Sequence, residues 1–128
     1  MYIKTHSLED KVDLLGYLPK GEIEKFWSSI SILLNTAPIE SYGLSMREAL
    51  VRGISVVSLA NSGAREIISQ YPRAAIRIMS SYDFQEFLDC CEDLNAHEVD
   101  RNFAMWQKKL DEESMKSLVS SWLVQNDK

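Results

Sequence analysis

Several features that would place this chain in a specialised class of protein are scarce or missing. Its two cysteines, Cys90 and Cys91, are adjacent, and neighbouring residues rarely meet disulfide geometry, so a disulfide framework is excluded. No apolar run approaches the roughly 20 residues of a membrane-spanning helix. The N-terminus lacks the apolar segment of a signal peptide. A reducing, cytoplasmic location is therefore predicted, either free or peripheral to the inner face of the membrane.

An excess of basic residues is also lacking. The 128-residue chain has 14 basic and 19 acidic residues and a formal net charge of −5. This argues against nucleic acid as a partner, since a nucleic-acid binder needs a basic face to displace counterions. A small anionic ligand is not excluded, because a helix N-terminus can hold one locally. There is no D-x-D pair, and neither His6 nor His97 belongs to a ligand-like cluster, so no metal is predicted.

Four short apolar runs alternate with helical patterns along the first two-thirds of the chain. The runs cover residues 12–15, 30–34, 54–59 and 75–79, and they are typical of strands buried on both faces of a parallel sheet. The spacing of strand, helix and strand predicts right-handed βαβ units. The predicted fold class is α/β, with a Rossmann-like parallel sheet of about four strands and a helical C-terminal third. The chain is interpreted as one domain with its α/β core at 12–80 and C-terminal helices at 83–125.

Helical patterns fill the gaps between the runs. Ile23, Phe26, Trp27 and Ile30 follow the spacing of one helix face. Further helices are predicted over 44–52, ending at Gly53, and over 62–70, opened by Ser62 and Gly63.

Three helices are predicted in the last third of the chain, and Asp83 with Glu86 indicates a capping box at the start of the first. Each has an apolar stripe that we expect to be core. A partner-binding or membrane-surface role for the last helix is the alternative. The stripes are Phe84, Phe87, Leu88 and Cys91; then Val99, Phe103, Trp106 and Leu110; then Met115, Leu118, Val119, Trp122 and Leu123.

The segment most informative about chemistry spans residues 36–66. It follows the second predicted strand, and ligands of open parallel sheets bind beyond the carboxyl ends of the strands. Glu40 lies in the loop, Gly43 opens the next helix, and Glu48 follows Glu40 by eight residues. The amides of Gly43, Leu44 and Ser45 would be unpaired helix N-terminal donors that favour a phosphate. The two carboxylates would accept hydrogen bonds from sugar hydroxyls on either side of it.

A second phosphate-facing turn is predicted at Asn61, Ser62 and Gly63. Simpler interpretations exist for each of these features. Ser45 and Glu48 fit a capping box, in which Glu48 only ties down its own helix start. Glu40 alone could be a solvated loop carboxylate, and the glycines could be ordinary turn residues.

Taken together, the segment resembles the donor-binding segment of retaining GT-B glycosyltransferases, the family also called group 1. That pattern runs roughly E-G-F-G-L-x-x-x-E-A-M-A-x-G-x-P-V-V and continues with a Gly pair and E-I-I. Residues 40–57 read E-S-Y-G-L-S-M-R-E-A-L-V-R-G-I-S-V-V and residues 62–68 read S-G-A-R-E-I-I. Upstream, V-D-L-L-G-Y-L-P at 12–19 is similar to the family's strand and loop. The departures are Ser41 for Gly, Tyr42 for Phe and Ser55 for Pro.

The resemblance implies a role for each matching position. Glu40, taken as the catalytic-site residue, would bind hydroxyls of the donor sugar, and Glu48 would bind the nucleotide ribose. The donor would be a nucleotide sugar such as a UDP-, GDP- or ADP-sugar, transferred with retention and without a cofactor to a glycan or lipid acceptor. The remaining residues expected to contact the donor are Gly43, Leu44, Ser45 and Tyr42 around the diphosphate or sugar, Gly16, Leu18 and Pro19 near the base, and Gly63.

The resemblance also implies that parts of the family's structure lie outside this chain. Family members have two further strands, an Arg and a Lys that bind the diphosphate, and an acceptor-binding N-terminal domain. We therefore expect the isolated chain to be inactive, because those groups stabilise leaving-group charge. Arg47 and Arg65 are expected to be ordinary exposed helix residues. Without its neighbours, the strand at 12–15 is expected to pair with 30–34, to pair with another chain, or to be loosely held.

Two other functions remain open at this stage. The chain could be a non-catalytic module that binds a nucleotide or a partner protein. Independently of this choice, a second copy of the chain or the missing N-terminal half is a possible partner. A response-regulator-like domain fits less well, because it needs a phospho-accepting Asp at a strand end and Asp13 lies inside the first run.

Overall fold

A three-stranded parallel sheet forms the centre of the fold. The computed structural model describes residues 2–126, without the side chains at positions 104, 106 and 124–126. Its strands are β1 (Ile32–Asn35), β2 (Ser55–Leu59) and β3 (Ile76–Met79), in the order β1-β2-β3. Both pairs are parallel. The predicted α/β class is confirmed, and these three strands lie within about two residues of their expected positions, the usual uncertainty of an element boundary.

Helices connect the strands and complete the domain. In chain order the described residues form α1 (Tyr2–Thr5), α2 (Lys20–Ser29), α3 (Leu44–Val51), α4 (Ser62–Gln70), α5 (Phe84–Ala96) and α6 (Phe103–Asn126). The bounds of α4 are those predicted. The end of α3 is also as expected, because Gly53 adopts a φ of 76° that L side chains rarely take. No helix in this part of the chain is long and apolar enough to cross a membrane.

The core lies around β2, whose five residues are all buried. Helix α3 contacts β1 and β2, while α5 contacts β2 and β3, so the central strand is covered as expected for a parallel sheet. The first turn of α6 closes the core, where the Phe103 ring packs edge-on against Tyr71 at 4.6 Å between centroids. The largest fully buried side chains are Phe103, Met46, Leu50, Ile67, Ile76, Leu94, Val56 and Val57.

The prediction of a strand at residues 12–15 is wrong for this chain. These residues have no strand pairing in the structure, and Leu14 is 69% exposed. Direct pairing with the second predicted strand is therefore excluded. The physical reason is that an apolar run becomes a strand only when a neighbouring strand takes its backbone hydrogen bonds. Pairing with another chain stays a prediction.

The prediction of three C-terminal helices is also wrong, because α6 continues through the expected break at residues 111–114. That segment, Asp-Glu-Glu-Ser, contains neither Gly nor Pro, so nothing in it stops a helix. Gln107 Nε2 donates to Asp111 Oδ1 at 2.9 Å across one turn of this stretch. The final apolar stripe, expected to be core, is exposed at Met115, Leu118, Val119, Trp122 and Leu123. The expected core position Trp106 has its side chain outside the described residues.

The other stripes divide between core and surface. Phe87, Cys91, Val99 and Leu110 pack against the core, whereas Phe84 and Leu88 are exposed.

The capping box at α5 is half correct. Asp83 caps the helix by accepting from the amide of Gln85 at 2.9 Å. The Glu86 carboxylate, however, turns to the chain before the cap and accepts from the Ser80 amide and from the hydroxyls of Ser80 and Ser81.

Candidate functional site

The carboxyl edge of the sheet carries three loops that bond to one another. Asn61 follows β2 and is buried. Its side-chain oxygen accepts from the Ala64 amide at 2.9 Å, which caps α4, and its amide donates to the carbonyl of Ala37 in the loop after β1 at 2.9 Å. From the loop after β3, the Tyr82 hydroxyl donates to the carbonyl of Thr36 at 2.9 Å. The loop after β1, residues 36–43, is therefore held from two sides.

Glu40 closes this loop onto the start of α4. Its carboxylate accepts from the amide of Gly43 at 3.1 Å, and its carbonyl accepts from the amide of Gly63 at 2.6 Å. The approach is so close that a Cβ added at Gly63 would lie 2.9 Å from the Gly43 nitrogen. Gly63 is therefore required for packing, and its amide is already occupied, which differs from the predicted phosphate-facing role.

The amide of Gly43 is likewise occupied, contrary to the expectation that it is an unpaired donor. Gly43 precedes α3 with a left-handed φ of 77°, a conformation that favours glycine. The amides of Leu44 and Ser45, the first two residues of α3, make no backbone hydrogen bond within the described residues. Both residues are exposed. They are the donors that remain available at this helix N-terminus.

Glu40 lines one of two clefts beside this loop. The Glu40 cleft, of about 460 Å³, lies between the loops that follow β1 and β2. Arg65 of α4 also lines it and is exposed, as predicted. The side chains of the cleft thus include a carboxylate, a guanidinium and the hydroxyls of Ser41 and Ser62, groups that hydrogen-bond a polyhydroxylated or anionic ligand.

Glu48 lines the second cleft, which is formed mainly by α3 and α6. The Glu48 cleft, of about 180 Å³, also contains Tyr42, Leu44, Arg47 and Asp111. The Glu48 carboxylate makes no hydrogen bond within the part of the chain that the structure describes. The capping-box interpretation of Ser45 and Glu48 is wrong, because Gly43 occupies the cap position and no side chain caps α3.

Arg47 corrects another prediction. It was expected to be exposed, yet only 5% of its surface is accessible. Its guanidinium donates to the carbonyl of Tyr42 at 3.0 Å, to Gln107 of α6 at 3.1 Å and to Gln70 of α4 at 3.3 Å. The side chain thus joins three helices to the loop that precedes α3.

The expected base-binding residues lie apart from these two clefts. Gly16, with a φ of 64°, and Leu18 belong to the segment before α2, and Pro19 immediately precedes that helix. None of the three lines the Glu40 cleft or the Glu48 cleft. Their role in binding a base stays a prediction.

Tyr71, at the C-terminus of α4, and Glu86, in the first turn of α5, have pKa values shifted by their surroundings. Burial raises the pKa of Tyr71, while the nearby positive charge of Arg47 opposes the shift. The Tyr71 hydroxyl is buried and has no hydrogen-bond partner among the described residues. Hydrogen bonds from the Ser80 amide and hydroxyl lower the pKa of Glu86. Within residues 2–126, no group of three or more His, Cys, Asp or Glu side chains is placed to hold a metal ion.

The parallel sheet, with its loops and helix N-termini gathered at the carboxyl edge, defines an α/β domain of the class in which ligands bind beyond the carboxyl ends of the strands. Comparison with known families is more specific. The chain belongs to the family of glycosyl transferases group 1, which it matches over residues 2–86. Searches among curated proteins and among solved structures found no significant match. The matched residues include all those that line the two clefts, except the residues that α6 contributes.

Proposed function

We propose that the carboxyl edge of this domain is the nucleotide-sugar donor site of a retaining glycosyltransferase. In this proposal Glu40 binds hydroxyls of the donor sugar in the Glu40 cleft, and Glu48 binds the ribose in the Glu48 cleft. The diphosphate lies between them, on the free amides of Leu44 and Ser45. Family membership supports a function related to glycosyl transfer; the division of roles among the residues is the proposed part.

The arrangement of two carboxylates around one helix N-terminus is the observation that carries the proposal. Gly43 and Glu48 are separated by about 7.5 Å along the helix axis, at about 1.5 Å per residue. The Glu40 cleft is lined in part by the loop that precedes α3, and the Glu48 cleft is lined by α3 itself. Between Glu40 and Glu48 in sequence lies the α3 N-terminus, whose dipole and two free amides favour an anion. A ligand with a central diphosphate and a sugar at each end matches this order of groups.

The chemistry expected at such a site is transfer of the sugar from the diphosphate to an acceptor hydroxyl. Leaving-group charge must be stabilised as the glycosidic bond breaks, a term that usually requires several donors. The Leu44 and Ser45 amides supply part of it. We therefore propose that the domain binds the donor and that transfer to a glycan or lipid acceptor needs further groups supplied by another domain or chain.

Nucleotide binding by the 128-residue chain tests this function. The protein would be titrated with UDP, GDP and ADP and with their sugars, using calorimetry and thermal unfolding. A ligand at about 100 times its dissociation constant should stabilise the fold by about 2.7 kcal/mol. We expect one nucleotide to bind, and Glu48→Gln to weaken binding by about ten-fold or more while leaving the unfolding temperature of the free protein unchanged, since the carboxylate makes no hydrogen bond in the fold.

Asp89→Asn provides a matched comparison, because Asp89 is an exposed carboxylate on α5 that lines neither cleft. It should bind nucleotide as the parent does. Equal weakening in both variants would show that only net charge matters and would contradict a specific ribose contact. No binding of any nucleotide would contradict the donor site and favour the second candidate, a non-catalytic protein-binding module. The exposed apolar stripe on α6 is the observation that favours that candidate.

A further inference from the structure

Arg47 is a buried cation whose hydrogen-bond acceptors are all neutral. Its three acceptors are one backbone carbonyl and two Gln side chains. Within the described residues no carboxylate oxygen lies within 4.0 Å of the Arg47 guanidinium. Asp111, which also lines the Glu48 cleft, is connected to Arg47 only through Gln107, which accepts from Arg47 and donates to Asp111. A buried charge is costly unless hydrogen bonds or a counterion compensate it, and here three hydrogen bonds to neutral acceptors provide the compensation.

Arg47 makes two different contacts with Tyr42, the residue before the cap of α3. The Nε–H donates to the Tyr42 carbonyl, and the guanidinium lies over the Tyr42 ring at 4.2 Å from its centroid. One planar guanidinium therefore contacts both the backbone and the ring of Tyr42, and Lys has no such group. Gly43, which follows Tyr42, donates to Glu40 and begins α3.

We propose that Arg47 is a positioning residue that holds the Tyr42–Gly43 backbone in the arrangement required for donor binding. The expected effect of Arg47 on donor affinity rests on the proposed function, whereas its effect on the loop can be measured without a ligand. The acceptors Gln70 and Gln107 fix the far side of the guanidinium to α4 and α6. The position of the loop is thereby coupled to two helices that carry neither Glu40 nor Glu48.

Arg52 is a matched comparison on the same helix. It also lies over an aromatic ring, with its guanidinium 5.1 Å from the Trp27 centroid, and it also bonds to another helix, through Glu24 of α2 at 2.9 Å. Its remaining bond is to the Glu48 backbone carbonyl. Arg52 makes none of these contacts with residues 36–43. Its loss should affect stability without affecting the loop.

The first experiment compares nucleotide affinity in Arg47→Met, Arg47→Lys and Arg52→Met by calorimetry. Losing a hydrogen bond to a charged ligand group can cost up to about a hundred-fold in affinity. We expect dissociation constants weakened by about ten-fold to about a hundred-fold in both Arg47 variants and by less than about two-fold in Arg52→Met. Parent-like affinity in Arg47→Met would overturn the proposal. Full rescue by Lys would also overturn it, because charge alone would then suffice.

The second experiment measures amide hydrogen exchange of Gly43 and Gly63 by NMR in the ligand-free protein. Both amides donate to Glu40 and so report docking of the loop. We expect exchange about ten-fold faster in the Arg47 variants and unchanged in Arg52→Met. Unchanged exchange in Arg47→Lys, the variant to use should Arg47→Met not fold, would overturn the proposal whether or not a nucleotide binds. If the parent binds no nucleotide, the proposed function fails and the exchange rates alone decide the role of Arg47.

Discussion

Phe103 and Leu118 lie on the same helix, about four turns apart, and their surroundings differ completely. Phe103 is 2% exposed and packs on Tyr71, whereas Leu118 is 67% exposed. Both residues belong to apolar stripes of similar spacing. The first stripe meets α3 and the end of α4, while the second extends beyond them. Burial in this domain is thus determined by which elements are present to pack against, and periodicity alone does not distinguish the two cases.

The same contrast separates the sheet from the N-terminal segment. Residues 76–79 and residues 12–15 are both short, mainly apolar runs that the sequence predicts as strands. The first pairs with β2 in a parallel ladder, and the second has no strand neighbour within the described residues. The densely bonded middle of the chain, residues 36–79, therefore contrasts with exposed apolar segments on both sides of it.

Truncating Phe103 and Leu118 should have the most unequal effects on stability. Phe103→Ala removes a fully buried ring and should lower the free energy of unfolding by about 3–5 kcal/mol. Leu118→Ala should change it by less than about 0.5 kcal/mol, because an exposed side chain loses little. Urea unfolding of both variants measures the difference.

A cost above about 1 kcal/mol for Leu118→Ala would mean that the stripe is covered in solution. The unfolding temperature should then rise with protein concentration, since association stabilises the folded state by mass action. That pair of results would support the prediction of a homo-oligomer, and a small cost without concentration dependence would argue against it.

Glycine-to-alanine substitutions at equivalent helix positions test how tightly the middle region is packed. Gly63 and Gly21 are each the second residue of their helix. A Cβ at Gly63 would meet the backbone of residues 40–43 at 2.9–3.1 Å, whereas at Gly21 nothing lies within 4 Å. Gly63→Ala should destabilise the protein by about 1–3 kcal/mol through overpacking. Gly21→Ala should stabilise it by up to about 1 kcal/mol, because Ala is the better helix former.

Thermal unfolding of both variants measures the change in stability, and we expect the two changes to have opposite signs. Stabilisation by Gly63→Ala would show that the loop moves away from α4 without cost. In that case the hydrogen bond from the Gly63 amide to Glu40 would contribute little to the position of the candidate site.

Much of the middle region could be predicted from the sequence because its signals are local. The stop of α3 at Gly53 and the bounds of α4 follow from residues within one turn of each end. The position of Glu40 and Glu48 at the carboxyl edge follows from the order of strand, loop and helix. An Asn directly before Ser-Gly is a cap signal, and it identifies Asn61 as the N-cap of α4.

The remaining features depend on partners that are distant in sequence. Arg47 is buried because Gln70 and Gln107, 23 and 60 residues further on, supply its acceptors. Nothing in the pattern of α3 marks it as different from Arg52. In the same way, the Gly63 amide is occupied because it donates to a backbone carbonyl in another loop. Residues 12–15 form no strand because the described residues include no neighbouring strand for them.

The smallest expected effect concerns the third loop at the carboxyl edge, where Glu86 is held by exposed hydrogen bonds. Bonds from Ser80 and Ser81 lower the pKa of Glu86 below its ordinary value of 4.5. A lowered pKa in the folded state means that these bonds stabilise the protein above the unfolded-state pKa and are lost as the pH falls through the folded value. Glu86→Gln should therefore make the loss of stability below about pH 4.5 shallower. The Ser80→Ala, Ser81→Ala double variant keeps the Ser80 amide as donor and should give an intermediate slope in urea unfolding at several pH values. If both variants have the same slope as the parent, Glu86 does not hold the loop after β3. The hydrogen bonds of the buried Asn61 side chain would then be the contacts that explain why the loop after β1 is fixed.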